Sequence, residues 1–147
     1  MIAVLDEYDR KGRMIPYEAG LACHKSIIGF PIVAHLALDY LGKPTDFGGH
    51  EVRTVWDGGK QEVRFGTMPI GSVMDAWIEA RTVEGYTGIK NVILIRTKLW
   101  TSRYPEYFAV LDKLWARGKV SSSWELTVER AEETARGRIL QAFRFIG

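Results

Sequence analysis

A histidine and a serine, each in a short polar segment, are the residues whose types could do chemistry together in this chain. His50 follows the flexible pair Gly48-Gly49, and Ser123 lies within Ser121-Ser122-Ser123-Trp124-Glu125-Leu126. A serine hydroxyl becomes a nucleophile when an imidazole within hydrogen-bond reach accepts its proton. The pair therefore predicts hydrolysis through an activated serine, on condition that the fold brings Ser123 and His50 together.

The residues around Ser123 alternate between apolar and polar types, which is typical of a strand with one buried face. One face carries the apolar residues Val120, Trp124, Leu126 and Val128. The other face carries the polar residues Ser121, Ser123, Glu125 and Thr127, and Ser122 is the misfit on the apolar side. The pattern predicts that Trp124 is buried while Ser123 and Glu125 open onto a groove. An ordinary half-solvated strand has the same pattern, so alternation alone leaves both interpretations open.

Composition predicts one domain with a sizeable core. The chain has 147 residues, of which 46% are hydrophobic and 12% aromatic. Its 20 basic and 18 acidic residues leave a net charge of only +2, and no basic block stands out, so nucleic acid is not expected as a partner. Cys23 is the single cysteine. An internal disulfide and a cysteine-based zinc site are therefore excluded, and a reducing, intracellular compartment fits.

The sequence predicts neither a membrane partner nor a cofactor. The apolar run at residues 92–95 is far shorter than the ~18 residues needed to span a bilayer, and it predicts a strand buried on both faces. No signal-peptide pattern is present. The histidines His24, His35 and His50 have no metal-ligand spacing, and we expect His24 and His35 to be packed or solvated.

Glycine, proline and polar clusters divide the sequence into many short strands and few helices. Asp57-Gly58-Gly59-Lys60 predicts a hairpin turn, because glycine tolerates positive φ. The clearest helix begins at Pro105 and ends near Gly118, since its apolar residues recur at three- and four-residue intervals. Residues 72–81 fit either a helix or a strand. The other predicted elements are strands or extended segments at 2–5, 30–33 and 139–146, a short helix at 17–26, a loop at 42–49, and a turn or short helix at 129–138.

These elements together predict an α+β, β-rich fold. We expect a closed or nearly closed β-barrel with one or a few flanking helices, formed by a single domain over residues 1–147. The helix after Pro105 is expected directly before the strand that carries Ser123.

Five short motifs occur in an order that resembles the tailed-phage prohead proteases. These are serine proteases of capsid maturation, distantly related in fold to herpesvirus assemblin. The motifs are Gly29-Phe30-Pro31-Ile32, Asp46-Phe47-Gly48-Gly49-His50, Pro69-Ile70-Gly71, Trp100-Thr101-Ser102-Arg103-Tyr104-Pro105 and Ser123-Trp124-Glu125-Leu126. The resemblance covers residues 31–147. Trp124 departs from it, because members of the family often carry methionine there.

The resemblance implies a β-barrel serine endopeptidase that acts inside the assembling prohead, in the cytoplasm of the infected bacterium. Its implied substrates are the scaffold protein, the scaffold-like segment of the major capsid protein, and the enzyme itself. At the matching positions Ser123 is the nucleophile, His50 is the base, and Glu125 is the candidate for the third catalytic residue. The resemblance is also compatible with a homodimer, and it implies a C-terminal end shorter than in relatives.

Several alternatives stay open. A capsid- or scaffold-binding domain with the protease fold but without turnover would keep the same core pattern. A small-ligand-binding barrel would need a deep apolar cavity. Asp46 and Glu51, which flank His50, are either solvated loop charges or groups that orient the imidazole. The sequence does not indicate which N–H groups would stabilise an oxyanion.

Overall fold

A computed structural model of the chain describes residues 1–49, 52–120 and 123–146. His50, Glu51, Ser121 and Ser122 lie outside these residues, whereas Ser123 and Glu125 lie within them. The chain divides into two compact units. Unit 1 comprises Met1–Phe30, Val73–Lys98 and Ser122–Gly147, and unit 2 comprises Pro31–Ser72 and Leu99–Ser121.

The described residues form strands joined by short connections, with two α-helices. The strands are β1 (Ala3–Val4), β2 (Arg13–Met14), β3 (Pro31–Ala34), β4 (Leu36–Leu38), β5 (Pro44–Phe47), β6 (Val52–Asp57), β7 (Lys60–Phe65), β8 (Met68–Thr82), β9 (Ile89–Leu99), β10 (Leu126–Thr134) and β11 (Gly137–Phe145). The helices are α1 (Tyr17–Cys23), which continues into a 3₁₀ turn at His24–Ile27, and α2 (Pro105–Ala116).

The strands are arranged in several sheets. One has the order β1-β9-β8-β3 and another the order β10-β11-β2, while β4-β5 and β6-β7 form two-stranded ribbons. The prediction of a β-rich fold with a few helices is therefore confirmed. No closed barrel is found among the strands that the structure describes.

Several elements match the sequence expectations for identifiable physical reasons. Asp57 pairs with Lys60 across a turn in which Gly58 (φ 55°) and Gly59 (φ 80°) both have positive φ, as a type I′ hairpin requires. Helix α2 begins at Pro105 as predicted. In β9 the consecutive residues Val92, Ile93 and Leu94 are all buried, as expected for a strand covered on both faces.

Two predictions of local structure were wrong, because strand pairing supplies hydrogen bonds that local sequence does not reveal. The expected loop at 42–49 contains β5, which pairs with β4 across a turn closed by Asp39. The expected turn or short helix at 129–138 is mostly strand, because β11 pairs with it from Leu126 to Thr134. Its charged side chains find partners across the hairpin, among them Glu129 on Arg144 at 3.0 Å.

Around Ser123, the structure corrects the predicted strand at residues 120–128. Strand β10 begins only at Leu126. Trp124 and Leu126 are half-buried rather than buried, and Val128 is exposed. The β10–β11 register shifts between Val128 and Arg130, and such a bulge turns the side chains of the strand away from a simple two-face pattern.

The core of unit 1 holds the segment before β10 in place. Phe143 and Phe145 on β11 are each about 1% exposed, and their ring centroids lie 5.4 Å apart in an edge-to-face arrangement. Trp124 packs edge-to-face on Phe145 at 5.8 Å. The N–H of Ile146 donates to the carbonyl of Glu125 at 3.0 Å, which continues the hairpin pairing past the end of β10.

A tight turn at Asp9 joins this core to the start of the chain. Oδ1 of Asp9 accepts the backbone N–H groups of Lys11 (2.8 Å) and Arg13 (2.9 Å), and Oδ2 accepts Nε (2.9 Å) and Nη2 (2.7 Å) of the Arg13 guanidinium. Partial burial acts to raise the pKa of Asp9, but the hydrogen bonds from Arg13 and Lys11 and the Arg13 charge outweigh it and lower the pKa. The same guanidinium lies 4.5 Å from the centre of the Trp124 ring.

We predict that Phe143→Ala lowers the free energy of unfolding by about 3–5 kcal/mol, because the ring is fully buried. Trp124→Ala should cost less, about 0.5–3 kcal/mol, because its ring is half-buried. Urea unfolding checks both values. Val128→Ala, at an exposed position, serves as the control and should change stability by less than about 0.5 kcal/mol. A loss for Trp124→Ala as large as that for Phe143→Ala would contradict the burial described here.

We also predict that the stabilisation from Asp9 depends on pH. Because the folded-state pKa is lowered, this stabilisation is fully present above the unfolded value of about 3.9 and is lost as the pH falls through the folded value. Melting temperatures of wild type and Asp9→Asn should therefore differ above about pH 5 and converge in stronger acid. Asp112→Asn, at an exposed carboxylate on α2, is the matched control. A constant difference across the acid range would contradict the prediction.

Candidate functional site

Ser123 lies on the surface of unit 1, directly before the start of the β10–β11 hairpin. Its side chain is exposed, as are those of Glu125 and Thr127. The next residue, Trp124, is fixed between Phe145 and the Arg13 guanidinium. The backbone that presents the hydroxyl is thus anchored on one side by a packed aromatic ring. The predicted contrast between polar exposure at Ser123 and apolar packing at Trp124 is present, although burial of Trp124 is partial.

His50 lies outside the described residues, but the strand that leads to it is described within unit 2. β5 pairs with β4 through Leu36 opposite Phe47, and the N–H of Gly48 donates to the carbonyl of His35 at 2.8 Å. A Cβ atom on Gly48 would lie only 2.7 Å from Cδ2 of His35, so a side chain at this position would displace the His35 ring. The chain is therefore held closely up to Gly48. The convergence of Ser123 and His50 stays a prediction.

The other two histidines are held by backbone carbonyls. Nδ1 of His24, on a side chain only 8% exposed, lies 3.1 Å from the carbonyl of Gly20 and 3.0 Å from that of Leu21. Nδ1 of His35 lies 2.6 Å from the carbonyl of Gly66. A carbonyl only accepts hydrogen bonds, so in each ring Nδ1 carries the proton. Of the two side chains expected to be packed or solvated, His24 is packed and His35 is half-buried.

Of the two acidic residues that flank His50, only Asp46 is described. Its side chain is exposed, and Oδ1 accepts the N–H of Phe47 at 2.7 Å. This contact is local and is directed along the strand. Asp46 is thus an exposed charge that stabilises the end of β5, and a role in orienting the His50 imidazole stays a prediction.

Within the described ranges, no three histidine, cysteine, aspartate or glutamate side chains form a group that could hold a metal ion. In the same ranges, no helix is both long and apolar enough to cross a bilayer. Cys23 is a free, half-buried thiol.

Unit 1 contains a small pocket that the sequence analysis did not predict, and the volume of this pocket is about 170 Å³. Trp124, the neighbour of Ser123 in the chain, forms part of its wall together with Tyr86, residues 1–4, and the charged residues Glu7, Asp9 and Arg13. These residues come from distant parts of the sequence, so only the tertiary fold assembles them. Trp124 was identified from its place on the apolar face, but nothing in the alternation indicated a cavity beside it.

Comparison with known proteins gives one match that covers almost the entire chain. A family model described as the YonD N-terminal domain matches residues 2–147. No curated protein and no solved structure matches the chain. The family is of phage type, which agrees with the phage part of the resemblance seen in the motifs. Since the match extends over far more than half of the residues, the chain belongs to the YonD N-terminal domain family.

Proposed function

We propose that this chain is a phage serine endopeptidase of capsid maturation that cleaves scaffold protein, capsid-protein segments and itself. The observation that carries the proposal is the position of Ser123, which is exposed directly beside a tryptophan anchored on the core. Membership of a phage-type family supports the setting in which such an enzyme acts. The ordered motifs from Gly29 to Leu126 support the type of reaction.

In the proposed mechanism, Oγ of Ser123 attacks the carbonyl carbon of the scissile amide while the imidazole of His50 accepts the hydroxyl proton. The imidazolium then gives this proton to the leaving amine, and an acyl-enzyme remains. Water, deprotonated by the same imidazole, attacks the ester and restores Ser123. Such acid–base assistance typically contributes ~10²–10⁴-fold to the rate. Preorganised N–H donors at the oxyanion would add about 3–4 kcal/mol each.

Two structural features support this assignment of roles. The segment before His50 is fixed by the hydrogen bond from Gly48 to His35, while Gly49 follows as a residue without a side chain. The carbonyl of Glu125 is fixed by Ile146, so the backbone two residues after Ser123 is ordered as well. Glu125 is the proposed third group. The proposal requires the Ser123 hydroxyl and the His50 imidazole to lie within hydrogen-bond reach of each other.

One observation favours a second candidate, a capsid- or scaffold-binding domain without turnover. Three large aromatic side chains of unit 2 are far more exposed than a core would leave them: Tyr40 (93%), Trp56 (74%) and Trp115 (73%). Exposed aromatic residues often form the contact points of protein interfaces. The binding function and the protease function make opposite predictions for Ser123→Ala.

We predict that Ser123→Ala abolishes most processing of scaffold and capsid proteins when all three are co-expressed. His50→Ala should do the same, and the double variant should be little worse, because nucleophile and base act as one unit. Glu125→Gln should have a smaller effect. Mass mapping of the products is the measurement. Ser102→Ala, which removes an exposed hydroxyl from a turn of unit 2, is the matched control and should process normally. Association with scaffold or capsid protein without any processing, in wild type and in Ser123→Ala alike, would favour the binding domain.

We further predict that the rate of cleavage rises as the pH increases through about 6.5, the ordinary pKa of an imidazole. The reason is that the base must be neutral before it accepts a proton. The rate of peptide cleavage measured from about pH 5 to 8 checks this expectation. Addition of EDTA should leave the rate unchanged, because a Ser–His mechanism needs no metal. Cleavage that stops with EDTA but persists in Ser123→Ala would show a different chemistry.

A further inference from the structure

We infer that the pocket in unit 1 whose wall includes Trp124 binds one large, uncharged side chain, aromatic or aliphatic, of an extended peptide. The inference extends the proposed function, because it takes that peptide to be the substrate and the bound residue to lie next to the scissile bond. It rests on the size of the pocket, the pairing of its charges, its position along the edge of a sheet, and its shared residue with the nucleophile segment.

The volume of the pocket fits a single side chain. It measures about 170 Å³. An apolar protein cavity of about 150 Å³ accommodates benzene, whereas sites for drug-sized ligands and cofactors measure about 300–1,000 Å³. A phenylalanine ring or a leucine side chain therefore fits this space, and a nucleotide or a similar cofactor does not.

The charged residues of the pocket are already paired with each other or with a neighbour. Asp9 binds Arg13 at 2.7 Å, and Glu7 binds Lys90 at 2.6 Å. A charged ligand group would have to compete with these ion pairs while losing its own hydration. The remaining wall is formed by apolar and aromatic side chains, including Tyr86 and Trp124. An uncharged apolar side chain is therefore the occupant that the pocket favours.

The pocket lies along a strand edge where a peptide could pair. Residues 1–4 all line the pocket. Because neighbouring side chains in a strand point to opposite faces, four consecutive lining residues indicate that the pocket follows the edge of β1 rather than one face. In the described part of the chain, β1 is the terminal strand of the β1-β9-β8-β3 sheet. An extended peptide added beside such a strand gains main-chain hydrogen bonds and places alternate side chains in pockets.

The link to cleavage is Trp124, which belongs both to the pocket wall and to the nucleophile segment. Its Cα lies about 3.8 Å from that of Ser123, because the two residues are consecutive, although their side chains point to opposite sides of the extended chain. In serine proteases a pocket next to the nucleophile decides which residue precedes the bond that is cut. The pocket would thus select substrates with a large apolar residue at that place.

The test combines a binding measurement with a cleavage measurement on the full chain. NMR follows the indole N–H of Trp124 during titration with N-acetyl-phenylalaninamide, and with the alanine and aspartate analogues for comparison. We compare four proteins: wild type, Ser123→Ala, the pocket-filling variant Ala3→Leu, and Ala131→Leu. The last is the matched control, because Ala131 is exposed on β10. Peptides with phenylalanine, alanine or aspartate before the scissile bond give the relative kcat/KM. Tyr86→Ala, which enlarges the pocket, serves as a second variant if Ala3→Leu does not fold.

We expect the phenylalanine probe to shift Trp124 in wild type, Ser123→Ala and Ala131→Leu but not in Ala3→Leu. The preference for phenylalanine over alanine in kcat/KM should fall by about tenfold or more in Ala3→Leu. If the phenylalanine probe binds but processing of the substrates does not depend on Ser123, the protease function is overturned and the pocket remains a peptide-binding site. If cleavage depends on Ser123 but the probe does not bind, the proposed binding pocket is overturned and the protease function is retained. The same conclusion follows if Ala3→Leu and Tyr86→Ala leave the selectivity for phenylalanine unchanged. Tighter binding of the aspartate analogue would also overturn the proposed binding pocket.

Discussion

The edge-to-face packing of Phe143, Phe145 and Trp124 is the interaction on which the rest of the candidate site depends. Phe143 and Phe145 fix β11 in the core of unit 1, and β11 fixes β10 by pairing along the hairpin. Trp124 extends this aromatic cluster by one ring beyond the start of β10. Ser123 directly precedes that ring in the chain, so the packing of Trp124 on Phe145 helps to position the backbone that carries the hydroxyl.

The second constraint is the carboxylate of Asp9. It closes the turn before β2 and accepts two hydrogen bonds from the Arg13 guanidinium. These bonds hold the guanidinium over Trp124. The N–H of Arg138 donates to the carbonyl of Gly12 at 2.8 Å, which joins this turn to β11. A Cβ atom on Gly137 would collide with that carbonyl, and so the close approach of turn and strand needs glycine there. One carboxylate therefore connects the N-terminal turn, the hairpin and the pocket wall.

The sequence predicted the elements whose signals are local. The Gly58-Gly59 turn, the helix at Pro105 and the buried run in β9 each depend on neighbours within a few residues, and all three are present. Strand β5 and the long hairpin at Glu129 were missed, because distant pairing partners stabilise them. Of the candidate site, the exposure of Ser123 and the packing of Trp124 followed from alternation. The bulge after Val128 and the pocket did not, since both arise only when separate segments meet.

Trp124 gives the strongest physical reason to connect specificity with the proposed nucleophile. The prohead proteases that this segment resembles often have methionine at this position, and methionine is a flexible side chain that adapts to many partners. A tryptophan held on one side by Phe145 and stacked with Arg13 cannot adapt in the same way. Its ring fixes the shape of the pocket wall and the direction of the preceding peptide at the same time. In the proposed enzyme, a change in the side chain bound to the pocket would act on Ser123 through a single residue, its neighbour Trp124.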